Sequence, residues 1–220
     1  MGRFTFPLGR RNGCLSRTRL AVMPVLAALA FSGTASERLR VQASSDDPDE
    51  QIAVRQLQRL QDAYDLQPWL FTHDVVIEKG TIPHSHPVLT LSTANLEDDE
   101  AQLASLLHEE FHWYLESREE RVQQAMGEFE RMFPEAPSGG TTGARDREST
   151  YLHLIDCDLE LQAMTQLIGE SRARKLLGRS GHYTWIYRQV LTNPKVREVN
   201  ARFGLLLPAS GSDAAGDGSD

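Results

Sequence analysis

The sequence predicts an α+β protein in which a small, mostly antiparallel sheet packs on a largely helical body. Two observations carry this. Short runs rich in β-branched and aromatic residues, at 70–78 and 87–92, lie close together, separated by Gly80, Pro83 and Pro87. From residue 100 to residue 203, by contrast, apolar residues recur at helical spacing, broken only at a few proline- and glycine-bearing points.

The elements follow in order. Ile52, Val54, Leu57, Leu60 and Tyr64 give a helix over 50–66, and the two β-prone runs come next. Residues 100–117 contain neither proline nor glycine and form a second helix, with Thr93 or Asn95 as N-cap and an acidic approach at 97–100 that suits the positive end of its dipole. A third helix spans 118–132 and stops at Pro134; the glycine- and threonine-rich stretch 137–145 must be a loop. Helices are then expected at 146–168, 170–177, 183–191 and 194–203. No internal repeat, heptad array or nucleotide-binding glycine loop interrupts this pattern.

Composition divides the chain further. Its 220 residues are 40% hydrophobic and 25% charged, ordinary for one domain, placed at 49–207. Residues 1–35 differ: Arg3, Arg10, Arg11, Arg17 and Arg19 precede an apolar run at 20–31, and Gly33 and Ala35 suit a cleavage site before Ser36. Basic, apolar and small segments in that order predict a secretory signal peptide, hence a secreted or periplasmic protein without a stable membrane span after cleavage. Cys14 precedes the apolar run instead of following it, which speaks against a lipoprotein attachment site. The polar residues 36–48 read as a flexible lead-in and the small, acidic residues 208–220 as a disordered tail.

Five of the 23 Lys+Arg lie in the first 35 residues, leaving 18 against 31 Asp+Glu, a formal charge of −13 beyond residue 35. So acidic a domain would be repelled by nucleic acid and by anionic membranes. Only Cys157 remains in it, which excludes an internal disulfide. Nothing in the residues fixes an oligomeric state.

One segment carries chemistry: His108-Glu109-Glu110-Phe111-His112, an H-E-x-x-H inside the second helix. Residues four apart share a helix face, so the two imidazoles can hold one metal ion, and Glu109, about a quarter turn away, can reach a water on it. Leu103, Leu107, Phe111, Tyr114 and Leu115 form a broad apolar stripe at roughly 100° per residue, with His108 and His112 at its edge. A catalytic zinc needs a third protein ligand and one open position. The helix at 146–168 offers His153 and Glu160, seven residues apart on nearly one stripe, with Asp156 and Cys157 between them. Glu160 is taken as the ligand, which leaves His153 to face substrate. In the reversed assignment His153 ligates and Asp156 or Glu160 supports from behind. His182 and Tyr183, at the start of a late helix, are further candidates, with His153, for binding substrate or steadying an oxyanion. His84 and His86, flanked by prolines, read as a rigid surface turn that can rim a cleft.

With these residues the chain resembles the zincins, the superfamily of H-E-x-x-H metallopeptidases, over residues 87–115 and again over 148–168. The resemblance implies zinc, held by His108 and His112, with Glu109 as general base for its water, and a peptide or protein substrate. No glycine and third histidine follow the motif as in metzincins. A distal glutamate places the chain nearer the gluzincins, although Met164 stands where their aspartate would follow Glu160, and Leu152 where it would follow Glu148. The His153-Leu154, Leu159-Glu160 and His182-Tyr183 pairs are similar to those of secreted bacterial members. The expectation is thus a secreted zinc-dependent hydrolase. The alternative is a non-catalytic periplasmic binding protein with a structural or relic zinc site, closed by Cys157 or by His153 with Glu160.

Overall fold

The computed structural model describes residues 38–208. The proposed signal peptide and all but the first residue of the acidic tail lie outside that range. The described residues form a mixed α and β fold of seven helices and one three-stranded sheet. β1 is Arg40–Ala43, α1 Pro48–Ala63, β2 Asp74–Ile77 and β3 Leu89–Leu91. The helices α2 (Asp99–Glu116), α3 (Glu119–Met132), α4 (Arg147–Ile168), α5 (Glu170–Leu177), α6 (Thr184–Thr192) and α7 (Pro194–Arg202) follow. None is long and apolar enough to cross a membrane.

Helix ends fall where capping chemistry puts them. Asp47 accepts from Asp49 N at α1, and Asp146 accepts from Ser149 N at α4. At α2 the cap is Asp98, whose Oδ1 accepts from Ala101 N at 3.0 Å, and not Thr93 or Asn95.

The sheet corrects the expectation of antiparallel pairing. Its order is β1-β2-β3 and both pairs are parallel, Val41 opposite Val75 and Val76 opposite Thr90. Residues 78–88 look like a hairpin loop because of their glycine and prolines, yet the chain crosses back and re-enters in the same direction. The antiparallel element is a single bridge: His84 exchanges both backbone hydrogen bonds with Thr90, on the side of β3 away from β2. Trp113 Nε1 donates to Ser85 O and stacks on His86, so this loop is fastened to α2.

A second correction concerns residues 36–48, read as a flexible lead-in: they contain β1. Its hold comes from Glu50, a buried carboxylate that accepts from Lys79 N (2.9 Å), Ser45 N (2.8 Å) and the hydroxyls of Ser44 and Ser45. These donors, that from Lys79 above all, lower its pKa from 4.5 to about 2. A folded pKa below the unfolded one stabilises at all pH values above about 4.5, and the contribution fades as pH falls toward 2. Glu50→Gln is therefore expected to lower Tm at neutral pH, and its deficit against wild type should shrink between about pH 6 and about pH 3. A deficit that stays constant in thermal melts across that range would remove the charge from the explanation.

α4 is the spine. It packs against α2, α3, α5, α6 and α7, and 14 of its 22 residues are buried. A helix buried on nearly every side is normally apolar throughout. This one buries His153, Asp156, Asp158 and Glu160 among Leu154, Ile155, Leu159 and Met164. Asp158 is answered by Arg197 Nε at 2.7 Å and Asn200 Nδ2 at 2.9 Å. The other three face α2.

Candidate metal centre

Where α2 meets α4, three imidazoles converge. One ligand atom each from His108, His112 and His153 lies within 4.8 Å of the other two, and the ring centroids are 5.3–5.4 Å apart. The helical spacing of His108 and His112 aligns that pair, and α4, crossing α2 on its apolar stripe, presents His153 to both. His108 and His112 are half-buried, and His153 is 6% exposed, so the group sits at the edge of the core.

Two of the rings are fixed from behind. His153 Nδ1 lies 2.6 Å from Ser149 O and donates to it, which leaves Nε2 as its lone-pair nitrogen. His108 Nδ1 faces Asp156 Oδ2 at 2.7 Å and, more distantly, Glu160 Oε2 at 3.4 Å. Glu160 Oε2 also accepts from Tyr187 Oη at 2.8 Å. Glu160, expected as third ligand, thus stands behind His108 and is not grouped with His112. The reversed assignment is the one the geometry favours: His153 with the two imidazoles, Asp156 and Glu160 in support.

The charges of this cluster decide what it can hold. Asp156 and Glu160 are 0% and 2% exposed. Burial pushes Asp156 up, but the His108 charge beside it wins and holds its carboxyl below the usual range. Burial likewise opposes charge on His108, and the adjacent Asp156 overrides it, raising His108 well above 6.5. His153 is pushed down to about 4 by burial and by the His108 charge, and burial lowers His112. Burial raises Glu160. Asp156 Oδ2, although close to His108 Nδ1, lies off the line of the ring N–H, so neither Asp156 oxygen has a well-aligned donor. A proton on His108 balances one carboxylate of the pair. A divalent ion among three neutral imidazoles balances both, and the residues present fit such an ion.

His108, Cys157 and Glu160 make a second potential ligand group, wholly on the inner side of His108. Burial pushes the Cys157 thiol up to about 12.

Glu109 is enclosed next to His108, 6% exposed, and burial lifts its pKa to about 7 against the pull of the His108 charge. Glu110 turns elsewhere: its Oε2 accepts from Phe71 N (2.7 Å) and Thr72 N (3.0 Å), tying α2 to the loop before β2. Tyr183 lies against the centre, its ring 4.5 Å from that of His153 and stacked on His108 at 5.8 Å. The structure does not bring His182 in with it. That residue is exposed, and its backbone closes a turn with Ser180. His84 and His86 stay in the loop on β3, the latter 3.1 Å from Glu116. Tyr187 reads as a core aromatic in the sequence. The available signal was its place one turn after Tyr183, which carries its hydroxyl to the same side of α4.

Comparison of the chain with profiles of known protein families, with curated proteins and with solved structures finds no match. The site itself is a group of three imidazoles that could hold a metal ion, backed by buried carboxylates.

Proposed function

We propose that this chain is a secreted zinc-dependent hydrolase acting on peptide bonds, with His108, His112 and His153 as ligands. The convergence of three imidazoles from two helices around one point, beside an enclosed Glu109, carries the reading. The peptide substrate is supported by the H-E-x-x-H resemblance, and export by the composition of residues 1–35.

Zinc in such a site supplies a Lewis acid for the scissile carbonyl and a water whose pKa is lowered to about 7. Glu109 would serve as the general base for such a water and return the proton to the leaving amine. Asp156, and behind it Glu160 with Tyr187, orient His108 and raise its basicity as a ligand. The Tyr183 phenol, whose ring lies against those of His108 and His153, would donate to the oxyanion as it forms.

Elemental analysis of purified protein should return one zinc per chain, and less than about 0.1 would end the proposal. Cobalt substitution then separates an open site from a closed structural one. Water exchange at the cobalt is expected. A strong sulfur-to-cobalt absorption band would instead make Cys157 a fourth ligand and favour the non-catalytic binding protein.

A further inference from the structure

We propose that the glycine-rich loop at 137–145 is a positioning element of this centre: it clamps the start of α6 and thereby keeps Tyr183 over His108 and His153, screening them from solvent. The inference rests on the metal-centre reading for its importance, although the screening itself does not require an ion.

Tyr183 has φ +54°, the one positive φ among the described non-glycine residues. A bulky aromatic residue is disfavoured there and must be held by its surroundings. The usual device is missing, since no side chain caps α6. The first N–H groups of the helix are met by another loop: Thr184 N donates to Thr141 O (2.9 Å) and Trp185 N to Thr142 O (3.1 Å). Those carbonyls fix where the α6 backbone begins and, one residue earlier, where the Tyr183 ring points.

The clamp is itself rigid. Gly139 N donates to Ala144 O and Gly143 N to Gly139 O, with Gly139 and Gly140 both at positive φ. At its base the buried Thr150 hydroxyl donates to Pro137 O and accepts from Ala144 N, each at 2.9 Å. Thr150 stands one turn before His153 on α4. One helix therefore sets both a metal ligand and the anchor of the loop that covers it. Gly143 leaves no room for error, because a Cβ there would lie 2.5 Å from Pro137 O and 3.0 Å from Thr150 Oγ1. Any side chain must push the loop aside and carry Thr141 and Thr142 with it.

The test uses the full chain and two readouts. In ion-free protein, carbethoxylation of His108, His112 and His153 is mapped by mass spectrometry against the exposed His182; in zinc-loaded protein, release to a chromophoric chelator is followed by stopped flow. Tyr183→Ala should raise both rates about tenfold, as expected when a cover open roughly a tenth of the time is removed. Tyr183→Phe, which keeps the ring, should match wild type in both. Gly143→Ala should shift both toward Tyr183→Ala with unchanged zinc stoichiometry, and Thr150→Val does the same by a gentler change should the glycine variant fail to fold. Wild-type rates in Tyr183→Ala would overturn the cover; fast rates there with wild-type rates in both folded loop variants would overturn the clamp. A chain that takes up no zinc defeats the hydrolase but leaves the labelling result readable.

Discussion

Glu109→Gln is expected to lower kcat by about 10²- to 10⁴-fold while one zinc per chain stays bound. The substitution keeps the size of the side chain and removes its ability to accept a proton. Glu109 is no member of the imidazole group, so the donor set is unchanged. The same residue is expected to set the acid side of the pH profile. Burial, against the pull of the His108 charge, lifts it to about 7, and a dication nearby would draw it lower, so kcat/KM should fall with decreasing pH somewhere below about 7 and the limb should vanish in the variant. Steady-state kinetics on an unstructured protein substrate, with metal analysis of the same samples, checks both. Full activity in Glu109→Gln would remove the mechanism.

The second large effect separates ligand from support. His153→Ala should weaken zinc binding by more than about 100-fold, whereas Glu160→Gln, which acts through His108, should cost no more than about 10- to 100-fold. The difference follows from position: His153 is grouped with both imidazoles, and Glu160 reaches only the inner nitrogen of one. Competition against a chelator of known affinity measures both variants. The reverse order of losses would make Glu160 the ligand.

Much of this was legible before any coordinates. The α-helices announce themselves by apolar spacing, although the cap of α2 is Asp98 and not Thr93 or Asn95, and the His108–His112 pair needs only a helix to become half a site. Strand direction is different. Three- and four-residue strands carry no mark of it, and β1 is held by Glu50 and by pairing with Val75, partners distant in sequence. The third ligand was undecidable for a related reason. His153 and Glu160 share a stripe two turns apart, and which of them meets α2 at the level of His112 depends on where the two helices cross. Between His182 and Tyr183 the choice is made by one backbone angle, which no propensity for tyrosine would suggest.

If the proposed ion binds beside the buried Asp156 and Glu160 of α4, occupancy and conformational stability are thermodynamically linked: at a free ion level 100 times Kd the native state would gain about 2.7 kcal/mol over the empty chain. On that reading, a molecule stripped of its ion would be less stable as well as inert, and more open to proteolysis.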